Sequence, residues 1–304
     1  MRRLLLLAVA VLCVGCSSGI PLDSAARSTM PGSFVQLSQG VVHYTLDGPE
    51  DGQTVVLVHG FSTPLFIWER TIPSLTQAGF RVLAFDLYGR GYSDRPDVAY
   101  NEDLFDNQLL ELLDTLDIKE PVNLMGLSMG GAIVTIFTAR HPEKVRRLGL
   151  IAPAGFPVKI PFAAKLVRVP LLGNVLMSAL GDGIIIKSAG KSFYDQSQVE
   201  PFIAKFEKQM QYEGYKRAIL STLRNFNLND QAAAYEKVGQ LGKPTLLIWG
   251  REDVTVPFEH SQKVIAFIPG TEFHPIDKAA HIPHYEKHEV VSPLIVNFFK
   301  NSAS

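Results

Sequence analysis

Val122-Asn123-Leu124-Met125-Gly126-Leu127-Ser128-Met129-Gly130-Gly131 is the stretch on which the reading of this 304-residue chain turns. Its largely apolar start, Val122 to Met125, has strand length, and Gly130 to Arg140 has helical length and spacing. Ser128 falls in the tight turn between them. A side chain is lifted above a sheet at such a turn only if neighbouring backbone comes close, and Gly126 and Gly130, two residues to either side, permit that approach. The helix that begins there offers its N-terminal dipole to negative charge developing near the serine. A Gly-x-Ser-x-Gly string is common by chance; between a strand and a helix it marks Ser128 as a candidate nucleophile.

Outward from this turn the same rhythm repeats. Val55–Val58 ends at His59-Gly60, Val82–Phe85 ends at Asp86, and Arg147–Ile151, Thr245–Trp249 and Thr271–Ile276 read as further strands. Trp68–Ala78 and Asn107–Leu116 have helical spacing. Runs apolar on both sides suit parallel strands covered by helices on both faces, so the alternation predicts an open α/β sheet. Phe34–Leu37 and Val41–Leu46 around Gly40 predict a hairpin before it. From about 155 to 230 the alternation stops, and Pro161, Pro170, Gly173 and Gly181 punctuate short apolar helical pieces. This is predicted as a lid inserted over the strand ends of one domain spanning 33–304. Its apolar residues, among them Phe156, Ile160, Leu171, Leu180 and Ile184, predict an apolar acyl pocket.

A serine hydroxyl needs a base. His281 follows the last predicted strand in Ala279-Ala280-His281-Ile282-Pro283-His284, with His284 and His288 as rivals. The three histidines straddle a proline-interrupted loop without a full ligand set, so no metal is expected. Asp253, in Gly250-Arg251-Glu252-Asp253 after the strand at 245–249, is the candidate orienting acid, with Glu252 beside it. The chain order Ser128, Asp253, His281 then suits a Ser-His-Asp triad at three strand ends. At the end of the first central strand, His59-Gly60-Phe61 can aim the backbone N–H of Phe61 at an oxyanion, with the N–H of Met129 as its partner. His59 itself is read as bonded within its loop.

Composition bounds the partners. Lys plus Arg is 29 against Asp plus Glu at 30, a formal net charge of −1, so no nucleic-acid partner is expected. With 46% hydrophobic residues the chain has ample material for a core. Arg2-Arg3 precede an apolar run from Leu4 to Val14, shorter than the roughly 20 residues of a membrane span and of the length of a signal-peptide core. Both cysteines, Cys13 and Cys16, lie there, so the body can form no disulfide. Gly15-Cys16-Ser17-Ser18 resembles a bacterial lipoprotein processing site, although Cys13 stands where Leu is expected. The expectation is a signal peptide at 1–15, lipidation of Cys16, a flexible tether at 16–32, and a lipid-anchored place in the bacterial cell envelope. An uncleaved anchor or a cut after Ala26 are the alternatives.

Taken together, Val58-His59-Gly60-Phe61, Asp86 to Ser93, Gly126 to Gly131, Gly250 to Asp253 and Ala280 to His284 resemble the α/β-hydrolase-fold serine hydrolases from about residue 33 onward. The resemblance implies a mostly parallel central sheet with helices on both faces and a helical lid. It implies Ser128, His281 and Asp253 as triad, Phe61 and Met129 as oxyanion hole, and no cofactor. A serine nucleophile speaks against the dehalogenases and epoxide hydrolases of this fold, which use Asp. The main expectation is a carboxylic-ester hydrolase, of esterase or monoacylglycerol-lipase kind, acting on a small apolar ester or lipid at a membrane, with no protein partner implied. The alternatives are a carbon–carbon hydrolase of the meta-cleavage-product type, or a non-catalytic binding protein. Meta-cleavage-product hydrolases share Ser-Met-Gly-Gly but usually carry an aromatic residue after the histidine, where Ile282 stands.

Overall fold

The structure, a computed structural model, describes residues 19–158 and 162–301. Its strands are β1 (Ser33–Leu37), β2 (Gly40–Asp47), β3 (Thr54–Val58), β4 (Arg81–Phe85), β5 (Val122–Leu127), β6 (Val145–Ile151), β7 (Thr245–Gly250) and β8 (Glu272–Ile276). The helices are α1 (Ser24–Arg27), α2 (Ile72–Gln77), α3 (Glu102–Thr115), α4 (Met129–Arg140), α5 (Phe162–Val167) and α6 (Leu172–Gly190). They continue as α7 (Val199–Phe206), α8 (Tyr215–Asn225), α9 (Ala232–Leu241), α10 (His260–Phe267), α11 (Pro283–Glu286) and α12 (His288–Lys300).

One sheet carries the order β1-β2-β4-β3-β5-β6-β7-β8, antiparallel at its first two junctions and parallel thereafter. This is the α/β-hydrolase architecture with a helical lid. In the parallel part, successive side chains enter opposite cores, as the two-residue period of a strand requires. Val56 and Val58 join the cluster on one face, and Val55 and Leu57 the cluster on the other. All four are fully buried, worth roughly 1.5–3 kcal/mol each. The pairings Val58 with Gly126, Leu127 with Ile151, and Gly250 with Ile276 bring the C-terminal ends of β3, β5, β7 and β8 to one edge. Open α/β sheets bind ligands along that edge.

Two predicted helices shift. Trp68–Ala78 is not continuous: Leu65–Trp68 forms a 3-10 turn, and α2 starts at Ile72 because Pro73 fits only the first helical turn. α3 starts five residues earlier than its apolar spacing suggests, at Glu102. Asn101 caps it by accepting the Leu104 N–H at 3.0 Å, and Glu102 and Asp103 suit the dipole of its first turn.

The lid helices α5 to α8 lie between β6 and β7. Several of the apolar residues expected in an acyl pocket lie elsewhere. Leu171, Leu180 and Ile184 are 79%, 57% and 53% exposed, while Phe156 stacks on Tyr235 and Phe267 of the body. Ile160 lies outside the described residues. The described part of the expected tether, 19–32, is laid on the body. It holds the short helix α1, pairs Ile20 with the Gln211–Glu213 segment, and bonds Arg27 to Asp94. The expected signal peptide at 1–15 and Cys16 lie outside the described residues.

Candidate active site

At the end of β5 the chain turns through Ser128 at φ 55°, ψ −118°, a left-handed backbone position for a residue other than glycine. Strain of this kind costs about 1–3 kcal/mol and persists only where surroundings impose it. Here the Ser128 N–H donates to the Ile151 carbonyl at 2.9 Å, and its carbonyl accepts from Ala132 at 3.2 Å and Ala154 at 2.9 Å. The flanking glycines serve close approach. A Cβ on Gly126 would lie 2.3 Å from the Gly130 carbonyl oxygen, and one on Gly130 would lie 2.3 Å from that of Val58. The turn is thus pressed against both its own helix and the end of β3.

The loops after β7 and β8 bring Asp253 and His281 together. His281 Nδ1 lies 2.8 Å from Asp253 Oδ2, and both residues are buried. Asp253 Oδ1 accepts the N–H groups of Thr255 at 2.8 Å and Val256 at 2.9 Å. The carboxylate is therefore anchored by one oxygen and orients imidazole with the other. That fixes the proton on Nδ1 and leaves Nε2 free to accept one.

The rival groups have other tasks. His284 is buried against Trp68, with ring centroids 4.5 Å apart, and burial pushes it down to about 3, so it stays neutral. His288 is half-exposed beside Glu289. Glu252 accepts the Ala279 N–H at 3.1 Å and so ties the two loops of the acid and the base. His59 lies 2.8 Å from the Gly60 carbonyl through Nδ1, and its Nε2 accepts the Leu87 N–H at 2.9 Å. Burial lowers it to about 4. It is a neutral bracket for its loop, as its sequence reading holds.

Gly60 lies beside the nucleophile, since a Cβ there would be 3.4 Å from Ser128 Cβ. Phe61 follows it, and Met129 opens α4, whose first N–H groups have no partner within the helix. The Phe61 carbonyl is held by Arg90, a residue to which the sequence assigns no part. Its Nε donates there at 2.8 Å, and its Nη atoms reach the Tyr88 carbonyl at 3.1 Å and Thr222 Oγ1 of α8 at 2.9 Å. Arg90 is fully buried and bonds no carboxylate, and burial lowers it to about 10. A charged residue inside a glycine-rich apolar loop, Gly89-Arg90-Gly91, is the only signal the sequence offers for it.

A cavity of about 1280 Å³ lies between the N-terminal segment, α6 and α8, lined by Tyr212, Met177 and Lys216 among others; Ser128, Asp253 and His281 do not line it. Among the described residues no group of three His, Cys, Asp or Glu side chains could hold a metal ion.

The family model described as alpha/beta hydrolase fold matches residues 53–288. A 2-hydroxy-6-oxononadienedioate/2-hydroxy-6-oxononatrienedioate hydrolase of Paraburkholderia xenovorans (strain LB400) is 28% identical, covering 90% of this chain and 97% of its own. One of the same description from Pseudomonas putida is 28% identical, covering 87% and 95%. A solved meta-cleavage-product hydrolase from Pseudomonas fluorescens IP01 is 26% identical with a TM-score of 0.70, covering 88% of this chain and 97% of that one.

These likenesses overturn the expected esterase or lipase. Two relatives that span nearly the whole chain are named for 2-hydroxy-6-oxo-dienedioates and a solved one for a meta-cleavage product, the class held above only as an alternative. The motifs around Ser128, Asp253 and His281 do not specify the bond attacked. Ile282, where those hydrolases usually carry an aromatic residue, is 3% exposed and packs into the core. The small apolar lipid substrate and the membrane partner are corrected as well. The relatives' names specify a dioate, a dicarboxylate, which is neither apolar nor a membrane lipid. The expected lipoprotein-type signal has no support in these findings.

Proposed function

This chain belongs to the α/β-hydrolase fold family, and from that premise we propose that it is a carbon–carbon hydrolase of the meta-cleavage-product class. The observation that carries this reading is the likeness, over nearly the whole length of both chains, to two hydrolases named for 2-hydroxy-6-oxo-dienedioates. A binding protein would not require the strained serine turn or the buried His281–Asp253 pair, both of which cost stability.

The substrate class is a 2-hydroxy-6-oxo-dienoate, whose keto tautomer is a vinylogous 1,5-diketone. Ser128 Oγ attacks the C6 carbonyl while His281 Nε2 takes its proton, and Asp253 steadies the imidazolium. The tetrahedral oxyanion is met by the N–H groups of Phe61 and Met129. Its collapse breaks the C5–C6 bond. The electron pair leaves on C5, spread through the double bond to the C2 oxygen as a dienolate, and His281 returns a proton to it. The acyl group stays on Ser128 until water, deprotonated by His281, releases it as a carboxylic acid. One water is consumed, and no redox partner or cofactor is needed.

The test is a comparison of kcat/KM for 2-hydroxy-6-oxo-dienoates, mono- and diacid, with that for p-nitrophenyl esters. The dienoates should exceed every ester. Esters turned over faster than any dienoate would overturn the assignment.

A further inference from the structure

Glu286 is a buried carboxylate five residues beyond His281, and the reaction above does not use it. Its Oε1 accepts the N–H groups of Tyr194 at 2.6 Å and Asp195 at 2.9 Å, in the segment that links α6 to α7. Its Oε2 accepts the Ala280 N–H at 2.8 Å, immediately before the base. Beside these, the His281 N–H donates to the Ser192 carbonyl of the same lid segment at 3.0 Å. One carboxylate thus joins the lid to the loop of the base, and its three donors are all backbone groups. Burying a carboxylate is costly unless hydrogen bonds meet it, and here burial still raises its pKa against the pull of those three donors.

A neighbouring set of contacts docks the lid without touching the base. Arg70 of the body reaches Gln198 Oε1 of the lid segment at 2.8 Å, and Lys205 of α7 reaches Glu69 of the body at 2.6 Å. Lid docking therefore does not itself need a carboxylate at 286. The link between Glu286 and Ala280, beside the direct bond from His281 to Ser192, ties lid position to base position.

We infer that Glu286 is a positioning residue that couples the lid to the catalytic base, holding the lid segment at Tyr194 and Asp195 and the His281 loop at Ala280 in one register. The inference rests on the triad, not on the bond the triad breaks. In Glu286→Gln the amide oxygen can serve one side only, and the amide NH₂ then faces backbone donors on the other. On the lid side, Asp195 has φ −83°, which proline can adopt, so Asp195→Pro deletes one donor to Oε1. Asp195→Ala controls for the lost cap on Ser197.

The readout is the second-order rate of fluorophosphonate attachment to Ser128, measured on the full chain well below each variant's melting temperature. It reports nucleophile and base without any dienoate. A misplacement of about 1 Å at a reacting group can cost roughly 100-fold, so Glu286→Gln should react 10- to 100-fold slower than wild type. Asp195→Pro should react at least several-fold slower than Asp195→Ala. Lys205→Met, which removes the lid's ion pair with Glu69 and touches nothing at the base, should keep the wild-type rate. A Glu286→Gln rate within twofold of wild type overturns the inference, and so do equal rates for the two Asp195 variants. If Glu286→Gln does not fold, the Asp195 pair decides. Wild-type protein that does not label contradicts the triad instead, so the two failures are distinguishable.

Discussion

Asp253→Asn tests the base through its tautomer. In the native site Oδ1 accepts two backbone N–H groups and Oδ2 faces His281 Nδ1. An amide in that place has two orientations. With its oxygen on Thr255 and Val256, its NH₂ points at Nδ1, which must then accept, and the proton moves to Nε2. With Nε2 protonated, His281 can no longer act as base. The opposite orientation restores the tautomer but turns NH₂ against two N–H donors and leaves both without partners. Each unsatisfied buried donor costs about 1–3 kcal/mol, so the productive orientation is disfavoured by roughly 2–6 kcal/mol. At 1.4 kcal/mol per decade this is a population loss of about 30- to 20,000-fold. The corresponding change in a serine-protease triad costs about 10⁴ in kcat, inside this range. The assay is kcat on a dienoate alongside the melting temperature. Packing and both backbone bonds survive, so kcat should fall at least 30-fold with little change in melting. A loss below tenfold in a folded variant would refute the assigned orientation and the part given to Asp253.

Gly130→Ala would put a Cβ 2.3 Å from the Val58 carbonyl oxygen and 2.4 Å from that of His59, so α4 and the end of β3 must part by roughly 1 Å to reach ordinary contact. Strain of about 1–3 kcal/mol and a melting decrease of about 2–4 °C per kcal/mol should accompany a loss near 100-fold in kcat; calorimetry and kinetics showing neither would contradict the packing. The buried His43–Asp86 pair, 2.6 Å apart, predicts a pH signature. Burial works against the charged imidazole, but the Asp86 charge and hydrogen bond outweigh it and raise the pKa of His43. The pair's ionic stabilisation is therefore complete below the unfolded value of about 6.5 and is lost as pH rises through the raised folded value. His43→Gln should destabilise more at pH 6 than at pH 9 in urea unfolding, up to about 3–5 kcal/mol at the lower pH. A pH-independent difference would refute this.

What could be read from the sequence was whatever is local. β3, β4, β5 and β7 are short, largely apolar runs closed by a polar or glycine residue, so these strands and the strand-end positions of Ser128 and Asp253 are visible without tertiary information. Long-range contacts are not. The start of α3 depends on a cap rather than on apolar spacing. The apolar residues of α6 carry no mark of the side they face, and half of those expected in a pocket face solvent. Arg90 and Glu286 act through backbone partners far away in the chain, Phe61 for one and Tyr194 for the other, and no motif spacing encodes such pairs. The bond cleaved is least legible of all, because the same triad serves many acyl transfers.

Cleavage of a carbon–carbon bond by Ser128 is open to direct test. Purified full-length chain should be incubated with 2-hydroxy-6-oxonona-2,4-dienedioate in ¹⁸O-water, with Ser128→Ala in parallel, and the products identified by mass spectrometry. Wild type should yield 2-hydroxypenta-2,4-dienoate and succinate, with ¹⁸O in the succinate carboxylate, and the variant should lose at least three orders of magnitude in rate. Intact dienedioate after incubation with enzyme whose Ser128 labels with fluorophosphonate would contradict it.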